Sequence, residues 1–216
     1  MTTNKEKQII AFLDEAFPDA KCSLIFANAY QCLIAVMLSA QATDKSVNEV
    51  TPELFGKYGD FAALSKAEQE DVESIIKSVG LYHAKAKNAI ALSKAICQRH
   101  GGEMPLDFES LTKLPGVGVK TANVVLCEIA ARPAIAVDTH VSRVSKRLGY
   151  AKADEEPIKI EKKLEGKFPR ENWIRLHHQL IHFGREICHA KKPECGRCGL
   201  CGYCSYFKKT SSTKGR

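Results

Sequence analysis

Leu114-Pro115-Gly116-Val117-Gly118-Val119-Lys120-Thr121-Ala122 is the stretch on which the fold turns. Before it, Asp107 to Thr112 predicts a short helix; after it, Thr121 to Ala131 predicts a strongly apolar one. Pro115 stops the first helix and Gly118 starts the second, so the glycines make a tight turn whose free amides point outward at a helix N-terminus. Such a turn is an anion site, and because backbone amides carry no base information it would hold phosphate while ignoring sequence. An ordinary helix connection containing glycine fits the two glycines equally well.

Outward from the turn, helix signals recur and no segment alternates with a period of two, which predicts an all-α protein. Upstream these are a helix from Lys5 to Phe17 stopped by Pro18, an apolar helix from Tyr30 to Ala40, one capped by Thr43 and Asp44, and a short one with Pro52 in its first turn. Ser65 with Glu68 reads as a capping box for a segment up to Val79, closed by Gly80, and Tyr82 to His100 as a long amphipathic helix ended by Gly101-Gly102. Downstream, Asp138-Thr139 caps a helix through Leu148, Pro157 opens another that ends before Pro169, and Trp173 to Cys188 is the last. The tail from Lys208 to Arg216 is polar and basic, and is expected to fray.

Lys120 lies two residues past the turn. A solvated surface amine is its plain reading. As a nucleophile it must be neutral, which at the ordinary lysine pKa holds for roughly one molecule in a few thousand at pH 7. The positive end of a helix and partial burial both disfavour an ammonium and favour that role. Eighteen residues on, Ala136-Val137-Asp138-Thr139-His140-Val141 places Asp138 as a helix N-cap. A carboxylate held that way is also able to stabilise positive charge developing on a sugar, or to take a proton from the lysine.

Five of the nine cysteines crowd the C-terminal region, and Cys188, Cys195, Cys198 and Cys204 are separated by six, two and five residues. Gly196 and Gly199 let the backbone fold tightly enough for several thiolates to converge on one point. Cys201 makes a second Cys-x-x-Cys with Cys204, so a zinc ribbon of Cys195, Cys198, Cys201 and Cys204 is formally open, although two residues between Cys198 and Cys201 are cramped for two knuckles. Cys22, Cys32, Cys97 and Cys127 read as small apolar helix residues.

Thirty-two basic against 25 acidic residues give a formal charge of +7 and a pI near 8.9, which suits a polyanionic partner as well as a plain solvated surface. The longest apolar run, Cys32 to Leu38, is too short to span a bilayer, and the first residues lack the apolar core of a secretory signal, so a cytoplasmic protein is expected.

Taken together, Leu38-Ser39-Ala40-Gln41-Ala42-Thr43-Asp44, Gly80-Leu81-Tyr82, the glycine turn with Lys120-Thr121-Ala122-Asn123, Val137-Asp138-Thr139-His140-Val141 and the four-cysteine loop resemble the endonuclease III family of DNA repair glycosylases, in the helix-hairpin-helix superfamily. The resemblance spans essentially the whole chain. It implies a two-domain helical fold: a six-helix domain over residues 22–132, a second domain of residues 1–21 plus 133–211 with a [4Fe-4S] cluster on Cys188, Cys195, Cys198 and Cys204, and a basic tail at 212–216. By the same resemblance substrate lies between the domains, Lys120 is the nucleophile and Asp138 its acidic partner. Gln41 and Leu81 enter the duplex in place of a flipped nucleotide, Gly116 and Gly118 hold the backbone, and His140 lies near the pocket. The implied activity is excision of oxidised pyrimidines from duplex DNA with cleavage of the abasic site by β-elimination, performed by a monomer on nucleoid DNA. Two rivals stand beside it. The adenine-excising or thymine-mismatch branches usually carry another residue at the Lys120 position, and a non-enzymatic iron-sulfur DNA-binding protein leaves Lys120 and Asp138 without a purpose.

Overall fold

The computed structural model describes residues 2–213, and among these the chain is helical and connected by turns, with no strand. In chain order the helices are α1 (Asn4–Ala16), α2 (Ala29–Leu38), α3 (Asp44–Lys57), α4 (Phe61–Leu64), α5 (Gln69–Ile76), α6 (Tyr82–His100), α7 (Phe108–Thr112), α8 (Val119–Ile129), α9 (Thr139–Leu148), α10 (Pro157–Glu165), α11 (Trp173–Glu186) and α12 (Ser205–Thr213). They divide into two compact units. The hairpin unit is Cys22–Arg132, and the cysteine unit joins Met1–Lys21 to Pro133–Arg216.

The hairpin unit is built around α2, which is apolar on every side and buried from Cys32 to Leu38. α8 and α6 pack against it, and Leu33, Ile34, Leu38, Leu54, Leu64, Ile76, Leu92, Ile96 and Leu111 fill one continuous core. Pro52 opens no helix of its own. It sits inside α3, where burial of Val47, Val50, Thr51 and Leu54 along one face outweighs the backbone donor that proline lacks. Ser65 does not form the expected capping box with Glu68: it is the C-cap of the single-turn α4, its hydroxyl donating to the Ala62 carbonyl, and α5 begins after Glu68 with no side-chain cap. That extra turn gives the unit seven helical segments where the resemblance implies six.

In the cysteine unit α1 and α9 pack on α11, with Ile9, Leu13, Val141, Val144, Leu148, Leu176, Leu180 and Phe183 at the centre. Residues from Lys208 onward continue a helix instead of fraying: α12 reaches Thr213, anchored by Tyr206 beneath the Arg147 guanidinium. The remainder of the basic tail, 214–216, lies outside the described residues. Among the described residues no helix is long and apolar enough to cross a membrane.

Candidate functional site

Within the hairpin unit, α6 ties together two of the segments singled out in the sequence. Gln41 and Leu81 are both exposed and both in the left-handed backbone region, at φ 55° and 61°. Neither is glycine, and each conformation costs about 1–3 kcal/mol that the surrounding fold must hold in place. The two turns adjoin: a Cβ on Gly80 would stand 3.8 Å from the Gln41 carbonyl oxygen. Leu81 is the N-cap of α6 and 61% exposed, the reverse of a core leucine. Seven residues along the same helix, Asn88 packs under the hairpin, its Cβ 3.0 Å from where a Gly116 Cβ would be.

In the hairpin itself the two glycines differ. Gly116 is left-handed at φ 75° and crowded by Asn88. Gly118 is an extended N-cap with nothing near its missing side chain. No side chain caps α8, so the amides at its start are offered outward. Lys120, the second residue of α8, is exposed rather than partly buried, because Ala122, Val125 and Leu126 commit the other side of the helix to the core.

The cysteine unit supplies Asp138 and His140. Asp138 is the N-cap of α9, its Oδ1 accepting from the Val141 amide at 2.8 Å, which leaves its second oxygen free of that bond. Gly184 of α11 comes so near His140 that an added Cβ would lie 2.9 Å from the histidine Cβ. Burial drives the His140 pKa below the usual histidine range; Asp138 opposes this, while Arg143 and Arg185 reinforce it. The imidazole is therefore neutral at pH 7.

All five C-terminal cysteines line one cavity, together with Val144, Arg147, Leu148, Phe183, Tyr206 and Phe207. Among the described residues no three His, Cys, Asp or Glu side chains are grouped closely enough to hold a single metal ion. The Cys201 thiol, in the same lining, donates to the Cys195 carbonyl at 2.9 Å. Cys188 and Cys204 accept hydrogen bonds at sulfur, from Arg147 Nη1 at 3.2 Å and the Phe207 amide at 3.4 Å. Burial pushes the Cys198 thiol up to about 12, so loading with a metal centre must expel protons. The donors that line it, thiols beside arginine and backbone amide groups, are of the kind a cluster with thiolate ligands takes.

Sequence reasoning missed the residues that hold this loop. Arg147 donates to the carbonyls of Cys188, His189 and Ala190 at 3.2, 2.7 and 3.0 Å, and Arg143 to those of Cys188 and Gly184 at 3.0 and 2.7 Å. Their spacing of four on one face of α9 was the available signal. Gly199 was another, since a Cβ there would meet the Phe12 ring of α1 at 2.5 Å.

A glycine turn running into an uncapped helix whose first turn carries an exposed lysine is a helix-hairpin-helix arrangement, and comparison with known proteins agrees with the DNA glycosylases of that class. The family model described as HhH-GPD superfamily base excision DNA repair protein matches residues 34–170. Endonuclease III of Bacillus subtilis (strain 168) is 49% identical over 192 residues, 88% of either chain, and that of Escherichia coli (strain K12) is 42% identical over 196 residues, 91% of this chain and 92% of its own. The solved structure of a trapped endonuclease III–DNA covalent intermediate is 46% identical with a TM-score of 0.89, covering 98% of this chain and all of its own. A thermostable thymine-DNA glycosylase at 24% identity shares the fold, with a TM-score of 0.85 over 95% of this chain and 97% of its own. The chain belongs to the endonuclease III family of the HhH-GPD superfamily.

Proposed function

We propose that this base excision DNA glycosylase and abasic-site lyase removes oxidised pyrimidines from duplex DNA, with Lys120 as nucleophile and Asp138 as its acidic partner. The observation that carries the assignment is Lys120 itself: exposed, at the uncapped start of α8, directly behind the glycine turn. The damaged nucleotide is flipped out, Leu81 and Gln41 filling the gap and offsetting part of the few kcal/mol of unstacking. The duplex covers Lys120 and supplies the desolvation that the free protein does not.

The Lys120 amine attacks the sugar C1′ as the bond from C1′ to the base breaks and the base leaves with the bonding pair. Asp138 stabilises the positive charge that develops on the sugar and receives the proton the attacking amine releases. Opening of the sugar ring gives a Schiff base; loss of a C2′ proton then expels the 3′ phosphate, and water releases the lysine. The relative trapped as a covalent intermediate with DNA, at 46% identity, supports the covalent step. His140, neutral and wedged against Gly184, shapes the ground beside Asp138. Cys188, Cys195, Cys198 and Cys204 hold a [4Fe-4S] cluster whose part is structural: it fixes a loop on which Lys191, Lys192 and Arg197 can meet phosphates. The protein acts as a monomer on nucleoid DNA.

Borohydride reduction during incubation with a duplex carrying an oxidised pyrimidine or an abasic site is expected to trap a protein–DNA adduct. Lys120→Gln should abolish adduct and strand cleavage while leaving binding largely intact, and Asp138→Asn should slow base release more than it weakens binding. A wild-type protein that forms no adduct on either substrate overturns the assignment.

A further inference from the structure

α6 carries one buried cation that the proposed chemistry does not use. Lys85 is 5% exposed, and its Nζ is out of contact with solvent and has no hydrogen-bond partner. Burial is the cause of its lowered pKa, with no carboxylate offsetting it. The helix adds to the cost. Lys85 is the fourth residue of α6, and the N-cap Leu81 makes no side-chain bond to the amides that follow it. A cation buried near the positive, uncapped pole of a helix is disfavoured both by lost hydration and by the dipole. An anion at that pole relieves both.

Geometry says where such an anion would lie. Leu81, Lys85 and Asn88 recur at the spacing of one helical face. At one end of this face is the exposed Leu81 turn beside Gln41; at the other, Asn88 packs against Gly116 of the hairpin. The span between them is seven residues, about 10 Å along the helix axis. Helical side chains lean toward the N-terminus, and Lys85 shares the first turn of α6 with the amides of Tyr82, His83 and Ala84. Free amides at a helix start combined with a lysine are the donors that grip phosphate in nucleotide-binding loops.

We propose that Lys85 and the N-terminus of α6 form a second phosphodiester site, which takes a DNA backbone phosphate between the Leu81 turn and the hairpin when the duplex binds. Movement of Leu81 into the duplex opens the turn ahead of Lys85 and lets the phosphate reach the amine. The inference rests on the reading of Gln41 and Leu81 as residues that enter DNA.

The test is Lys85→Met, which keeps the buried stem and removes the charge. Its affinity for a duplex with a stable abasic-site analogue should fall about tenfold, and the slope of log affinity against log salt should shrink by about 0.9, the equivalent of one phosphate. The free variant should be as thermostable as wild type or more so. In a scan replacing single phosphates near the lesion with neutral methylphosphonates, one position should weaken wild type and leave the variant unaffected. Unchanged affinity, an unchanged slope, or stability lost in step with binding would each overturn the proposal. Should the variant fail to fold, the scan on wild type alone decides: a sensitive position separate from those weakened by Gly116→Ala supports it, and none overturns it. Borohydride trapping by wild type on the same preparations tells a failure of the parent reading from a failure of this one.

Discussion

At the scale of single residues, the hairpin shows how two identical letters do different work. Gly116 is held at φ 75° and pressed against Asn88, whereas Gly118 is extended and stands in open space. Gly116→Ala therefore strains the backbone by about 1–2 kcal/mol and pushes on the Asn88 side chain, while Gly118→Ala meets neither penalty. Binding titrations on undamaged and lesion-bearing duplexes should show the Gly116 variant weakened about tenfold on both, with the ranking of lesions unchanged, and the Gly118 variant weakened less. Equal losses for the two would mean that the amides alone, and not the turn geometry, set the grip. Gln41 and Leu81 illustrate what a sequence hides at this scale. Their residue types say nothing of a left-handed backbone, which both adopt where their two turns adjoin.

At the scale of elements, α9 is the piece that combines the most. Its N-cap is Asp138, its first turn holds His140, and its later turns send Arg143 and Arg147 into the cysteine loop. The guanidinium bonds from Arg147 to three successive carbonyls replace water that those groups would otherwise need, and losing them costs on the order of 2–3 kcal/mol in a segment with little secondary structure of its own. Arg147→Met should lower the iron and sulfide recovered per chain from anaerobic purification and speed their loss to a chelator. Cys201→Ser should leave both at the wild-type level, since that thiol is engaged with the Cys195 carbonyl. Iron lost from the serine variant alone, or zinc as the dominant metal, would contradict the ligand set of Cys188, Cys195, Cys198 and Cys204.

At the scale of the whole molecule, the cysteine unit is assembled from both ends of the chain, and α1 is what closes it. Its first turn is anchored by Glu6, which is 3% exposed and accepts from the Thr3 hydroxyl, the Thr3 amide and the Tyr150 hydroxyl; Lys5 reaches the Leu148 carbonyl at 2.5 Å. Burial pushes the Glu6 pKa up, but the hydrogen bonds outweigh it and the carboxyl lies below its ordinary range. A depressed carboxylate contributes stability in full above the unfolded pKa of about 4.3 and loses it as pH falls through the lower folded value. Wild type should thus lose stability on acidification through that window, and Glu6→Gln should lose about 1 kcal/mol at pH 7 while narrowing the acid-dependent part. Thermal unfolding followed by circular dichroism between pH 3 and 7 measures both; a variant as acid-sensitive as wild type would assign the effect to other carboxylates.

Much of the architecture was legible in the chain because its signals are local. Apolar period, Asp138 and Thr43 as caps, Gly101 as a stop, and the glycine hairpin with Lys120 behind it each need only a few neighbours to be read. The helix N-terminus that exposes amides and the spacing of the cysteines belong to the same kind, and together they pointed to the endonuclease III family. Where local signals competed with packing, packing decided. Pro52 was absorbed into α3 by a buried face, Ser65 became an end instead of a beginning, and α12 formed because Tyr206 found Arg147. The adjoining turns at Gln41 and Leu81, the buried charge of Lys85 and the arginine clamp on the cysteine loop depend on groups far apart in sequence. Only the folded chain brings these into contact, since burial, desolvation and a donor's choice of carbonyl are properties of neighbours in space.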